Sequence, residues 1–172
     1  AYSFMIQPGD PEGPAAISVT AVDVAGNSRN VVDPTKLTID KTSPVLANIA
    51  ASPASAKLGT VITITFDASD ALCGLNGNPT VSVNANPATY QSNSGSRYTY
   101  TYTTKPSDSE GPATISVTVV DLAGNSTTET DDTQLAIDLT APFVTLKNTP
   151  SSLTNDVDVC ATVSAFDVNC AN

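Results

Sequence analysis

Residues 111–126 read GPATISVTVVDLAGNS, and the middle of this stretch alternates apolar and hydroxyl-bearing side chains. Ile115, Val117 and Val119 fall on one face, and Thr114, Ser116 and Thr118 fall on the other. A period of two predicts a half-buried β-strand, because successive side chains of a strand point to opposite sides. The glycine and asparagine of the AGNS that follows are typical of a turn. The stretch therefore predicts a strand that ends in a tight turn.

The same alternation recurs in Val61–Phe66 and Arg97–Thr103, and shorter strands are predicted at 45–49, 79–83, 88–91 and 133–137. Turn-forming residues separate these segments, and no stretch of ten or more residues has the helical period of 3.6. About seven short strands in about 98 residues predict an all-β, two-sheet immunoglobulin-like sandwich. Tyr98, Tyr100 and Tyr102 are expected to pack between the sheets, in preference to forming a carbohydrate platform.

Charge and composition exclude several classes of function. The chain has 17 acidic residues against 7 Lys plus Arg, and its net charge of −10 would repel nucleic acid and anionic membrane surfaces. No apolar run approaches the ~20 residues that span a bilayer. Histidine is absent, so histidine triads and histidine zinc sites are excluded. We expect no enzymatic activity.

An internal repeat organises the chain. GPAAISVTAVDVAGNS from Gly13 matches GPATISVTVVDLAGNS from Gly111 at an offset of 98 residues, and 24 of the 43 positions aligned over 2–44 are identical. CATVSAFDVNC (Cys160–Cys170) resembles TITFDASDALC (Thr63–Cys73) at an offset of 97. The sequence therefore predicts tandem repeats: the C-terminal half of one (1–43), a complete one (44–141) and the N-terminal part of another (142–172).

The incomplete outer segments carry an expectation about partners. Each would expose unpaired strand edges and half of a hydrophobic core, and such surfaces aggregate unless they are covered. We therefore expect neighbouring repeats of the same protein, or neighbouring subunits of a fibre, to complete them.

The motif VDxAGNS followed by IDxTxP resembles the bacterial immunoglobulin-like repeats of giant surface adhesins and other secreted modular proteins. The resemblance covers essentially the whole chain. It implies an extracellular or cell-surface location and a stalk or adhesive role, and several such arrays are stiffened by calcium between domains. The cysteine at Cys73 and Cys170 departs from the pattern expected for these repeats.

Greek-key strand order predicts a calcium site at one end of the complete repeat. The linker residue Asp40, the turn residues Asp67 and Asp70, and Asp121 with Asn125 would meet there. Converging carboxylates repel one another without a cation, and calcium prefers oxygen ligands. The equivalent residues are Asp138 and Asp167 in the next copy and Asp23 in the first.

Simpler interpretations of these aspartates stay open. Asp23 and Asp121 precede AGN, where an aspartate can serve only to accept hydrogen bonds from turn amides. Asp40 and Asp138 can simply end a strand before a linker. Asp67 and Asp70 are a poor match to a glycosidase carboxylate pair, because they lie three residues apart on a predicted turn.

The three cysteines do not form a zinc ribbon or a redox motif. Cys160 and Cys170 are predicted to form a local disulfide, with two unpaired thiols as the alternative. Cys73 would then lack an internal partner.

Three functions remain compatible with the sequence. The first is a structural stalk or spacer of an extracellular adhesin or cell-surface fibre, in which length and stiffness matter. The second is a module that binds a glycan or a protein, and the third is an accessory domain of a secreted enzyme. Near-identical repetition favours the spacer.

Overall fold

The computed structural model describes residues 2–148 and 161–166, and every regular element in this part of the chain is a β-strand. A hairpin comes first, formed by β1 (Gly13–Val22) and β2 (Ser28–Ile39). The central unit, residues 44–141, follows, and β14 (Phe143–Asn148) then pairs antiparallel with β15 (Ala161–Phe166). The all-β prediction is confirmed.

The central unit contains two four-stranded sheets. The first has the order β3-β5-β9-β8, with β3 (Val45–Ser52), β5 (Val61–Ser69), β9 (Arg97–Thr103) and β8 (Thr89–Ser94). The second has the order β12-β11-β6-β7, with β12 (Ser126–Asp131), β11 (Ile115–Val120), β6 (Thr80–Val83) and β7 (Asn86–Pro87). All neighbouring strands in both sheets are antiparallel.

A small third sheet joins the two ends of the unit. Its order is β10-β13-β4, with β10 (Gly111–Pro112), β13 (Ala136–Ile137) and β4 (Ser55–Ala56). The pairing of β13 with β4 is parallel, unlike every other strand pair in the described chain. An early and a late strand of the unit therefore run side by side in the same direction.

The core lies between the two large sheets. Ile62, Ile64 and Phe66 of β5 are fully buried, as are Ile115 and Val117 of β11, and all belong to one apolar cluster. The alternating burial of β5 and β11 shows that one face of each sheet supplies this cluster. The central unit is therefore a β-sandwich.

Aromatic rings fill the middle of the core. The Phe66 ring stacks on Tyr98 and Tyr100, with ring centroids 5.6 Å and 5.7 Å apart. Tyr98, Tyr100 and Tyr102 are at most 8% exposed, which confirms their predicted packing between the sheets. The buried hydroxyl of Tyr102 donates to Asp108 Oδ1 over 2.7 Å, and that of Tyr100 donates to the Pro79 carbonyl.

Strand pairings recur along the chain. In β1 and β2, Ile17 lies opposite Asp33 and the register runs on to the turn. In β11 and β12 the equivalent residues, 98 positions later, pair in the same way: Ile115 lies opposite Asp131, and the register again runs on to the turn. The start of the β14–β15 pairing likewise repeats that of β3 and β5, allowing for the offsets of 98 and 97. The apolar side chains of the first hairpin are much more exposed, and Val19 is 59% exposed.

Among the strands of the central unit that are longer than two residues, β12 alone has no counterpart among the predicted strands. β12 has the sequence STTETD and lies at the edge of its sheet, so it lacks the apolar alternation that marks a half-buried strand. The strand predicted at 133–137 is reduced to β13, and the one predicted at 61–66 extends to Ser69.

Candidate functional site at the linker 40–44

The site begins with a tight turn between β11 and β12. Asp121, which is fully buried, accepts hydrogen bonds on both carboxylate oxygens from Asn125: Oδ1 from the backbone N–H over 2.8 Å and Oδ2 from the side-chain amide over 2.7 Å. Gly124 completes the turn at a φ of 97°, a left-handed conformation that favours glycine. The turn therefore fixes the position of the Asn125 amide.

The first hairpin contains the same turn. Asp23 accepts hydrogen bonds from the backbone and side-chain nitrogens of Asn27, each over 2.8 Å, and Gly26 has a φ of 90°. The side-chain and backbone hydrogen bonds from Asn27 hold the pKa of Asp23 below its ordinary value. Turn capping therefore accounts for this aspartate position in both copies, as the simpler interpretation of the motif expects.

Asn125 differs from Asn27 because it also contacts the linker that precedes the central unit. Its side-chain amide donates to the carbonyl oxygens of Asp40, over 3.2 Å, and Thr42, over 3.3 Å. The Thr127 hydroxyl donates to the Pro44 carbonyl over 2.6 Å. One amide hydrogen of Asn125 is directed at Asp121 Oδ2, so the two linker carbonyls share the other. Side-chain hydrogen bonds from Asn125 and Thr127 therefore attach the linker to the turn and strand that lie more than 80 residues later.

The linker is also bonded to the preceding segment. A carboxylate oxygen of Glu12 accepts the Lys41 N–H over 2.7 Å, and both of its oxygens accept from the Thr42 hydroxyl. Asp40 Oδ1 accepts the Thr42 N–H over 3.0 Å and shapes the linker itself. Residues 40–44 are therefore held from both sides.

The next linker repeats this arrangement. Glu110 accepts the Leu139 N–H over 2.8 Å and the Thr140 hydroxyl over 2.7 Å. Asp138 Oδ1 accepts the Thr140 N–H over 3.0 Å, the same distance as in the first linker. Both linkers thus have one local structure, determined by a glutamate before the hairpin and an aspartate after it.

The loop between β5 and β6 forms another wall of the site. Asp70 Oδ1 accepts the N–H groups of Leu72, Cys73 and Gly74 over 2.9–3.0 Å. These bonds, led by those from Cys73 and Gly74, hold the pKa of Asp70 below its ordinary value. The Gly74 carbonyl in turn accepts the Leu122 N–H over 3.0 Å, which attaches the loop to the turn containing Asp121.

The turn, the linker and this loop bring three side chains together. Donor atoms of Asp40, Cys73 and Asp121 all lie within 4.8 Å of one another. Asp40 is 8% exposed and Asp121 is fully buried. Asp40 Oδ2 is buried and receives no hydrogen bond from the described part of the chain. We name these three residues the junction cluster.

The Cys73 thiol lies beside the Asp40 carboxylate. That carboxylate favours the protonated thiol and, together with burial, raises the pKa of Cys73 to about 11. The thiol is a weak donor that bonds the Gly74 carbonyl over 3.6 Å, and no N–H or hydroxyl group of the described residues donates to Asp40 Oδ2. Cys73 forms no disulfide within the described residues.

The structure brings together part of the predicted calcium ligand set. Asp40, Asp121 and Asn125 meet at the linker. Asp67 instead lies on β5, where it pairs with Arg97 over 3.2 Å and accepts from Asn48 over 2.7 Å. The Asn48 hydrogen bond and Arg97 hold the pKa of Asp67 below its ordinary value.

The other predicted ligands lie elsewhere. Asp70 caps its own loop, Asp23 caps the turn of the first hairpin, and Asp138 lies at the second linker. Asp167 and the predicted disulfide partners Cys160 and Cys170 lie outside the described residues. Cys73 was not among the predicted ligands, although its spacing from Asp70 recurs as Asp167 and Cys170.

Comparison with protein-family models, with curated proteins and with solved structures gave no match to this chain. The described residues contain no helix that is long and apolar enough to cross a membrane.

Proposed function

We propose that this chain is a segment of an extracellular stalk or spacer, built from tandem immunoglobulin-like repeats of about 98 residues, in an adhesin or a cell-surface fibre. The sheet orders β3-β5-β9-β8 and β12-β11-β6 support the immunoglobulin-like part of the proposal, because the sheets of such a sandwich have the strand orders A-B-E-D and C-F-G. The strand pairings that recur at offsets of 97 and 98 support a repeated unit.

The observation that carries the proposal is the bonding of the linker 40–44 from both sides. Glu12 holds it to the segment before, and Asn125 and Thr127 hold it to the unit after. A spacer works through its length and stiffness, and a linker fixed by its neighbours transmits orientation from one unit to the next. The recurrence of the glutamate bonds at the second linker supports the same role there.

The parallel pairing of β4 with β13 favours a load-bearing role. The Ala136 N–H donates to the Ala54 carbonyl over 2.8 Å, and the Asp138 N–H donates to the Ala56 carbonyl over 2.9 Å. When the two ends of the unit are pulled apart, strands that run in the same direction slide past each other, so these bonds are loaded together.

The alternatives have less support. A glycan-binding role would use exposed aromatic rings, but the tyrosine stripe of β9 is buried in the core. Stiffening of the junction by calcium stays a prediction. Two of its predicted ligands, Asp67 and Asp70, use their carboxylates in other hydrogen bonds. The hydrogen-bonded linker, without an ion, is therefore the basis of the stalk proposal.

Single-molecule pulling on the full chain tests the load-bearing role. We expect the central unit to unfold in one step that releases about 330 Å of chain, from 98 residues at ~3.4 Å each. Ala136→Pro removes the donor to Ala54 and should lower the unfolding force. Gradual extension without a force peak, or an unchanged force in the variant, would argue against a load-bearing spacer.

A further inference from the structure

We propose that Asp40, Cys73 and Asp121 form a binding site for a thiophilic divalent cation of the zinc class. The site would join the linker, the β5–β6 loop and the β11–β12 turn through one ion. Cys73 lies 33 residues after Asp40 and 48 residues before Asp121 in the sequence, so the fold alone brings the three side chains together. This proposal does not depend on the stalk role, because the three ligands lie together in the fold whether or not the chain acts as a spacer.

The first argument is the unpaired negative charge. Two buried carboxylates contribute donor atoms within 4.8 Å of each other, and no Lys or Arg in the described chain forms an ion pair with either one. Asp40 Oδ2 is buried and receives no N–H or hydroxyl donor, and only the weak S–H donor of Cys73 lies beside it, a costly arrangement for a carboxylate oxygen. A bound cation would supply the missing partner and offset the repulsion between the carboxylates.

The second argument is the kind of donor. Calcium takes six to eight oxygen ligands and makes little use of sulfur. Zinc binds cysteine sulfur together with carboxylate oxygen, and thiolate ligands select zinc over calcium and magnesium. A thiol sulfur within 4.8 Å of both carboxylates therefore favours an ion of the zinc class.

The third argument is size. Donor atoms that share one zinc ion through bonds of about 2.0–2.3 Å lie roughly 3.5 Å apart in a tetrahedral arrangement. The cluster atoms lie within 4.8 Å, so movements of about 1 Å would complete the site. Three protein ligands leave a fourth position for water.

The ligands are also held in place by neighbouring bonds. Asp121 is oriented by Asn125, Asp40 by the Thr42 N–H, and the Cys73 backbone by Asp70. Such outer partners fix the orientation of metal ligands and raise metal affinity. Each carboxylate oxygen with one hydrogen bond keeps a lone pair for a metal.

Cobalt titration of the full chain tests this site, because Co²⁺ occupies zinc sites and reports a thiolate ligand through a charge-transfer absorption. Replacing Cys160 and Cys170 by serine leaves Cys73 as the single thiol among the three cysteines. In this background we expect one equivalent of Co²⁺ to produce the charge-transfer band, Zn²⁺ to abolish it by displacement, and excess Ca²⁺ to leave it unchanged.

Variants separate the ligands from bystanders. Cys73→Ser should abolish the band, and Cys73→Ser and Asp40→Asn should each weaken Zn²⁺ binding by at least about tenfold, the loss that even an outer-shell partner causes. Asp23→Asn is the matched control, because this exposed turn aspartate lies in the first hairpin, outside the junction cluster, and it should leave the titration unchanged. Circular dichroism verifies that each variant retains its strands.

Two results would overturn the assignment. One is a negative result with folded protein: either no charge-transfer band appears when Co²⁺ is added, or the Cys73→Ser variant binds Zn²⁺ with unchanged affinity. The other is displacement of Co²⁺ by Ca²⁺, which would assign the site to calcium. Both results leave the pulling experiment on the spacer unaffected, so the two proposals fail independently.

Discussion

Asp121→Ala is expected to lower the free energy of unfolding of the central unit by about 2–3 kcal/mol. The carboxylate is fully buried and accepts two hydrogen bonds from Asn125, each shorter than 2.9 Å. Its removal leaves the Asn125 backbone N–H without its acceptor and takes the nearest of three acceptors from the Asn125 side-chain amide. The released amide also loses its fixed position against the linker, so the loss extends beyond the turn.

Urea denaturation followed by circular dichroism measures this effect. Asp23→Ala is the matched control, because it removes the same hydrogen bonds from an exposed turn that has no linker contact. It should cost measurably less than Asp121→Ala. Equal losses in the two variants would mean that the junction adds nothing to the turn itself.

Phe66→Ala is expected to destabilise the protein more, by about 3–5 kcal/mol. The ring is fully buried at the centre of the sandwich and stacks on both Tyr98 and Tyr100. Alanine would leave a cavity between the sheets and remove both ring contacts. Val61→Ala on the same strand is the control, because Val61 is 56% exposed and its truncation should have a small effect.

Thermal unfolding of the two variants separates core packing from strand propensity. A large fall in the midpoint for Phe66→Ala, with little change for Val61→Ala, is the expected result. Similar midpoints in both variants would contradict the position of the core between the two large sheets.

The core could be predicted from the sequence because its strands alternate without interruption. The alternation in Val61–Phe66 predicts that Ile62, Ile64 and Phe66 share one face, and all three are fully buried. β12 could not be predicted in this way, since an edge strand rich in threonine and acidic residues has no apolar face to reveal it. Its position depends on pairing with β11, which is a tertiary contact.

The candidate site was predictable only where it depends on the order of the strands. Greek-key order predicts that Asp40, Asp121 and Asn125 lie at one end of the unit, and the structure brings these three residues together. Asp67 was expected in a turn, but β5 continues to Ser69, so Asp67 faces Arg97 across the sheet.

The place of Cys73 in the site could not be predicted, for a different reason. Its position results from three backbone hydrogen bonds to Asp70 and from the bond between Gly74 and Leu122. A loop structure of this kind leaves no periodic pattern in the sequence. The one sequence feature that pointed to Cys73 was its spacing from Asp70, which recurs as Asp167 and Cys170.

The central claim is that side-chain hydrogen bonds from Asn125 and Thr127 fix the linker. Spin labels at Val19 and Leu58 report on it, because both positions are exposed and lie before and after the linker. The labels are introduced as cysteines in a chain whose three native cysteines are serine, and their distance distribution is measured by double electron–electron resonance. Asn27→Ala is the control, since Asn27 occupies the equivalent turn.

The account predicts a narrow distance distribution in this background and in Asn27→Ala, and a clearly broader one in the double variant Asn125→Ala/Thr127→Val. An equally narrow distribution in the double variant, or a broad one before any substitution, would contradict it.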